Sequence, residues 1–174
     1  GANPSIIFRS KGKAVSILRG GVEESFESED PLGALRDLMA VYEPVAIEGF
    51  PEFHGGAVGY MSYDQVRFFE TLPDENPDTL DLPDLYYMIT DTMLLFDHVN
   101  NRIKIVSNVH VNGDAEAAYT EGLTKIEALE AQLRAPLNLE PVTPVENPNT
   151  ELTSNFSREE FCGAVRKAKE YIVA

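Results

Sequence analysis

The first regular pattern in the chain is a pair of short runs rich in alternating apolar and β-branched residues. Ser5-Ile6-Ile7-Phe8-Arg9-Ser10 and Ala14-Val15-Ser16-Ile17-Leu18-Arg19 flank Lys11-Gly12-Lys13. Side chains on a strand alternate between two faces, so this arrangement predicts two strands joined by a glycine-containing turn. Asp30-Pro31 follows as a helix start, with an acidic cap and proline at the first helical position. Leu32, Leu35, Leu38 and Met39 supply the apolar stripe, and the helix is expected to end near Pro44. Ala57 to Tyr63 reads as a strand reached through Gly55-Gly56. A short turn or helix is expected at Asp64–Glu70, and after Pro73 an acidic, solvated and mobile loop spans 74–84.

The strongest β signal comes next. Leu85–Asp97 and Arg102–Val111 read as two long strands joined through Val99-Asn100-Asn101, because aromatic and β-branched residues dominate both. Asp114 then caps a helix running from Ala115 to about Arg134, with Tyr119, Leu123, Ile126 and Leu133 on its apolar face and Lys125, Glu127 and Glu130 outside. Prolines at 136, 141, 144 and 148 forbid a helix over Ala135–Asn155 and point to a linker. Ser157-Arg158-Glu159-Glu160 is a capping box for a last helix, in which Phe161, Val165, Ala168 and Ile172 recur at helical spacing. No C-cap signal follows, so that helix is expected to continue beyond Ala174. The whole reads as α+β, a largely antiparallel sheet with flanking helices.

Composition narrows the function classes. The chain has 174 residues, 14 basic and 29 acidic side chains and a net charge of −15, and the charge is localised. Residues 1–21 carry four basic and no acidic groups, whereas 22–97 carry two basic and 18 acidic groups. Such a surface repels nucleic-acid backbones and anionic membranes, so neither is an expected partner. The single cysteine, Cys162, excludes an internal disulfide framework and a multi-cysteine metal site. No apolar run approaches the roughly 20 residues that span a bilayer, and the chain is read as cytoplasmic. Gly1-Ala2 reads as a cloning remnant ahead of Asn3-Pro4.

Candidate chemistry is sparse. Gly55-Gly56-x-x-Gly59 invites comparison with a phosphate loop, but no Lys-Ser/Thr follows and no helix opens after it, so close backbone packing is the favoured role. His54, His98 and His110 lack the spacing of metal ligands, and Asp97-His98 reads as a polar turn contact. Cys162, beside Phe161 on a helix, reads as a packed thiol rather than a nucleophile. Asp64, Arg67 and Glu70 stand at i, i+3 and i+6, a spacing suited to a structural ladder of carboxylate, guanidinium and carboxylate.

Residues Phe53-His54-Gly55-Gly56-Ala57-Val58-Gly59-Tyr60-Met61-Ser62-Tyr63-Asp64-Gln65-Val66-Arg67-Phe68-Phe69-Glu70-Thr71-Leu72-Pro73 carry a closer likeness. They resemble a signature near the N-terminal region of anthranilate synthase component I, the chorismate-binding subunit of tryptophan biosynthesis. Asn3-Pro4-Ser5-Ile6-Ile7-Phe8-Arg9-Ser10, the strand end from Asp91 to His98, and Ser157-Arg158-Glu159-Glu160-Phe161 fit the same family in the same order. Aminodeoxychorismate synthase component I, of folate biosynthesis, is the related alternative. Ser62-Tyr63-Asp64 resembles the anthranilate branch more than the Gly-Tyr-Asp typical of the other.

The resemblance implies the N-terminal part of the chorismate-utilising architecture, truncated at both ends. It implies an N-terminal region at 3–134, a proline-rich linker at 135–156, and at 157–174 the first helix of the chorismate-binding domain. In that family, ammonia from a glutamine amidotransferase subunit converts chorismate to anthranilate and pyruvate with magnesium. The catalytic residues and magnesium ligands lie in the C-terminal domain, and part of the tryptophan-feedback pocket precedes the Asn-Pro segment. This chain is therefore expected to be an inactive regulatory and scaffold segment with no catalytic residue and no cofactor of its own. Gly59 and Tyr60 are the residues expected near the effector pocket. A self-contained interaction module is the rival from another class.

Overall fold

Alternate residues of the first strand, β1 (Ile6–Lys11), are buried: Ile6, Phe8 and Ser10 face inward while Ile7 and Arg9 are half-buried. That period of two is the one the sequence pattern carries, and it fixes which side of the sheet receives the core. The computed structural model describes residues 4–45, 47–50, 53–136 and 153–173. They fall into two compact units divided after Ala135.

In the first unit β1 pairs antiparallel with β2 (Ala14–Arg19), and β2 with β3 (Val22–Glu27). On its other side β1 pairs with β5 (Leu85–Thr90), which pairs with β4 (Gly56–Met61), giving the order β3-β2-β1-β5-β4 with every pairing antiparallel. Helix α1 (Pro31–Ala40) lies on one face of this sheet. Leu35 and Leu38 enclose a core with Ile6, Phe8, Val15, Leu85 and Ile89, and Leu32 and Met39 pack at its margin. Asp30 starts the helix by accepting the Gly33 N–H at 2.8 Å, one of the backbone donors that a helix start leaves unpaired. The helix ends at Ala40, a turn before the expected stop near Pro44, and Tyr42 N–H closes that end on the Met39 carbonyl.

Strand β3 lies where the sequence pattern gives no strand. With Glu23, Glu24 and Glu27 among six exposed residues it has no apolar face to announce it. It forms because Gly20 and Gly21, with φ of +58° and +83°, reverse the chain so that β2 gains a second backbone partner.

The stretch Leu85–Asp97, expected as one long strand, is two. The chain breaks at Asp91, and β6 (Thr92–Asp97) leaves the five-stranded sheet to pair with β7 (Arg102–Ser107) in a separate two-stranded sheet. Backbone and side chain both hold the break: the Asp91 carbonyl accepts the Asn108 backbone N–H at 2.7 Å, and its carboxylate receives Lys125 Nζ at 3.3 Å. Asp97 closes the hairpin by accepting the Val99 and Asn100 N–H groups and the Asn100 amide.

Helix α2 (Ala115–Arg134) is capped by Asp114, which accepts from Glu116 and Ala117 N–H. It packs on β7 through a face rotated from the expected one, of which Ile126 remains half-buried. Ala118 and Gly122 are buried, whereas Tyr119, Leu123 and Leu133 are exposed. Small residues win this face because the missing Gly122 side chain lets the helix approach Val109, whose Cγ1 stands 3.3 Å from where a Cβ would be. The second unit contains α3 (Arg158–Val173), started by the reciprocal Ser157–Glu160 box. Phe161, Val165 and Ile172 of its stripe are exposed, and Cys162 is half-buried. Most of the expected linker, residues 137–152, lies outside the described residues.

Candidate functional site

The segment from His54 to Asp84 gathers most of the candidate residues. Gly56 has φ +130°, a conformation that a side chain disfavours. Gly55 is constrained by packing: a Cβ there would stand 2.5 Å from the Asn108 amide nitrogen, which donates to the His54 carbonyl at 2.6 Å. The glycine pair thus lets the chain enter β4 past the Asp91 joint. A strand rather than a helix follows it, so the geometry lacks the helix N-terminus that a phosphate loop uses.

Gly59 answers to a different constraint. A Cβ at this position would overlap the Tyr86 carbonyl oxygen and lie 2.7 Å from Tyr87 Cα and 2.8 Å from the Tyr86 carbonyl carbon, all backbone atoms of β5. Tyr60, 42% exposed, stacks on Tyr86 across the ladder, with ring centroids 6.1 Å apart and planes 12° apart. Gly59 and Tyr60 are therefore neighbours whose side-chain positions fall on opposite faces of the sheet.

Arg67 lies in a 3-10 helix (Tyr63–Phe68) in which the Gln65 side chain is buried with neither amide atom hydrogen-bonded to a described residue. The Arg67 Nε donates to Asp64 at 2.8 Å, and one terminal nitrogen donates to the carbonyls of Leu72 and Pro73. The second carboxylate is Asp74, at 3.4 Å, whereas Glu70 is exposed and is not a partner of Arg67. The tight 3-10 geometry and the return of the chain at Pro73 carry Asp74 rather than Glu70 to the guanidinium. The hydrogen bond that Arg67 donates to Asp64 raises the Arg67 pKa above its ordinary value, against the opposing effect of desolvation.

The acidic loop 74–84, expected to be solvated and mobile, is largely exposed and contacts the β1–β2 turn. Lys11, at the β1–β2 turn, binds Asp78 and donates to the Leu82 carbonyl at 2.7 Å, with Asp81 at 3.6 Å. Asp84 accepts the Gly12 N–H, and its backbone bridges Ser10 and Ser62. The hydrogen bond with Asp78 raises the Lys11 pKa, and the same bond, with help from Asp81 and Leu80 N–H groups, lowers that of Asp78. Asp74, Lys11, Asn108 and Tyr86 are the partners that sequence reasoning missed. Each is remote in sequence or set by a turn, and only the strand order reveals it.

No group of His, Cys, Asp and Glu among the described residues is arranged to hold a metal. No described helix is long and apolar enough to cross a membrane.

An antiparallel sheet with flanking helices, and a glycine-rich edge strand leading into an arginine-centred 3-10 turn, therefore describe the class. The chain belongs to the family of chorismate binding enzymes, whose match covers residues 3–174. It is similar to anthranilate synthase component 1 of Acetivibrio thermocellus, with 35% identity over 99% of this chain and 36% of the relative. With anthranilate synthase component 1 of Pseudomonas putida it shares 35% identity over 97% of this chain and 35% of the relative. Aminodeoxychorismate synthase component 1 of Bacillus subtilis is 30% identical over 94% of this chain and 34% of the relative. The fold matches that of anthranilate synthase component I from Streptococcus pneumoniae TIGR4, with a TM-score of 0.60 and 20% identity, covering 97% of this chain and 36% of that one. The chain thus spans about a third of the length of these relatives.

Proposed function

We propose that this chain is the N-terminal regulatory and scaffold part of an anthranilate synthase component I. The full-length enzyme would convert chorismate and ammonia, supplied from glutamine by a component II amidotransferase, to anthranilate and pyruvate in the cytoplasm. The chain by itself is inactive in this reading, and tryptophan acts on the full-length protein. The observation that carries the proposal is similarity to anthranilate synthase component 1 along 97–99% of this chain but only 35–36% of the relatives.

Electrostatics supports placing the substrate site elsewhere. Chorismate is a dianion, and most cations of this region, Arg19 excepted, already face carboxylates, among them Arg9 with Glu23, Lys11 with Asp78, Lys13 with Glu29 and Arg67 with Asp64. A second anion would have to displace those partners within a segment, 22–97, that carries 18 acidic groups against two basic ones. Ser62-Tyr63-Asp64 favours the anthranilate branch over aminodeoxychorismate synthesis.

Isothermal titration tests the reading. The chain is expected to show no heat of binding with chorismate and magnesium, and micromolar binding would refute it. Gly59 and Tyr60 are assigned to the neighbourhood of the effector pocket, Tyr60 by its side chain and Gly59 by the strand contact that positions it. Tyr60→Ala in the full-length enzyme is expected to weaken tryptophan inhibition. Unchanged inhibition would remove these residues from the effector pathway.

A further inference from the structure

Residues 108–114 join β7 to α2, and they include the chain's one Asn-Gly pair, Asn112-Gly113. Both residues are exposed, and neither makes a hydrogen bond among the described residues. Gly113 has φ +89°, and the space where its Cβ would stand is empty to 4 Å. The backbone nitrogen that follows Asn112 is therefore free of a competing hydrogen bond and unscreened by a side chain of its own. No described partner fixes the Asn112 amide either.

The other asparagines among the described residues are held or blocked. Asn108 donates its amide to the His54 and Asp91 carbonyls, and a β-branched valine follows it. Asn100 is bound by Asp97 through both its N–H and its amide. Asn101 is followed by Arg102, which the β6–β7 ladder places opposite Asp97. Pro77 leaves no N–H after Asn76, and the Phe156 N–H after Asn155 donates to the Ser154 hydroxyl.

We propose that Asn112 is a site of spontaneous covalent modification, at which the chain deamidates through a cyclic imide. The Gly113 N–H gives its proton to solvent base, and the nitrogen attacks Asn112 Cγ. The Cγ–Nδ2 bond then breaks, and the amide nitrogen leaves as ammonia with a proton returned by solvent, closing a five-membered succinimide. Water, the only co-reactant, opens this ring. Cleavage of the bond from the ring nitrogen to Cγ gives an ordinary aspartate. Cleavage of the bond to the backbone carbonyl carbon gives isoaspartate, with the chain routed through Cγ. Nothing is oxidised or reduced, and the chemistry is independent of the reading of the chain as part of a synthase.

The product is placed to act on α2. Asp114, two positions on, caps that helix by accepting the Glu116 and Ala117 N–H groups at 3.1 and 3.0 Å. Ala118 and Gly122 then seat the helix on β7. Isoaspartate inserts one backbone carbon just before the cap and displaces Asp114 from the groups it accepts. Ordinary aspartate adds only a negative charge near the positive end of the helix, where it is favourable.

Incubation of the 174-residue chain in mildly alkaline buffer, followed by peptide mass mapping, tests the proposal. The Asn112 peptide is expected to gain one dalton at least about tenfold faster than the peptide of any other described asparagine, because the others react only through local opening. Asn112→Gln is expected to remove that gain, since its longer side chain would have to close a six-membered ring. Amide exchange on the separated products supplies a second readout. Glu116, Ala117 and Ala118 are expected to exchange about fivefold faster in the isoaspartate form, which has lost its cap, and no faster in Asn112→Asp. Deamidation that spares Asn112, or none at any asparagine, overturns the proposal. An isoaspartate form that exchanges like the unmodified chain overturns its link to α2.

Discussion

Gly59→Ala is the sharpest test of the packing described here, because the added methyl group would meet backbone and not a side chain that can turn away. Its Cβ would overlap the Tyr86 carbonyl oxygen and lie 2.7 Å from Tyr87 Cα. Relief requires β4 to move away from β5 by several tenths of an ångström at least, lengthening ladder hydrogen bonds around the Gly59–Tyr87 pair. Overpacking of this kind costs about 1–3 kcal/mol, and weakening one ladder hydrogen bond adds about 1 kcal/mol. Against this, alanine restricts the unfolded chain and returns roughly 0.4–1 kcal/mol. The balance is a destabilisation of about 1–3.5 kcal/mol. Urea unfolding followed by circular dichroism measures it as a fall in the midpoint at constant slope. Val58→Ala, at a side chain 44% exposed in the same strand, serves as the control and is expected to cost well under half as much. A Gly59→Ala midpoint indistinguishable from the parent chain would refute the close approach of β4 to β5.

Asp30→Ala removes the acceptor of the Gly33 N–H and is expected to destabilise the first unit by about 1 kcal/mol, read from the same urea midpoint; no change would deny the cap its role. Gly122→Ala exchanges about 1 kcal/mol of helix propensity against a 3.3 Å contact with a Val109 methyl that can shift, so it is expected to be near neutral, whereas Gly122→Leu is strongly destabilising. Lys11→Met is expected to change the acid limb of stability. The Asp78 carboxyl is depressed in the folded chain, so its contribution is present above the ordinary value of 3.8 and is lost as pH falls through the lower, folded-state value. The variant should flatten that loss, and 0.5 M salt should mimic the variant; NMR titration of the Asp78 side-chain carbon checks both, about 0.5 M being enough to screen an exposed pair. At the alkaline end the raised Lys11 pKa works the other way: its contribution is complete below 10.5 and disappears as pH rises through the raised value.

Local signals made most of the elements legible. Asp30-Pro31, Asp114 and the Ser157–Glu160 box mark helix starts by side-chain chemistry that acts within a few residues, and the structure places caps at all three. Alternation likewise marks β1 and β2. The sequence pattern failed where the deciding contact is remote. Leu85–Asp97 looks continuous because both halves are apolar, yet the break depends on Asn108 and Lys125 reaching Asp91 from 17 and 34 positions away. The α2 face was misread for a related reason. Tyr119 and Leu123 are the more hydrophobic residues, but it is Ala118 and Gly122 that are small enough to let the helix reach β7. In the Arg67 cluster, helical spacing singled out Glu70, whereas the chain reversal at Pro73 delivers Asp74.

The same distinction between local pattern and remote contact alters the meaning of the acidic segment. Eighteen carboxylates between 22 and 97 suggest from sequence a solvated, repulsive surface. In the fold, several are spent on chain geometry: Asp30 caps α1, Asp64 and Asp74 hold Arg67, Asp78 and Asp84 fasten the loop to the β1–β2 turn, and Asp91 fixes the strand break. The basic groups of residues 1–21 supply partners for some of them, Lys11 for Asp78, Lys13 for Glu29 and Arg9 for Glu23. Because these pairs are exposed, each is worth little to stability. Their consequence is one of placement. They hold the 74–84 loop against the Lys11 turn, at the end of the sheet where β1 passes into β2.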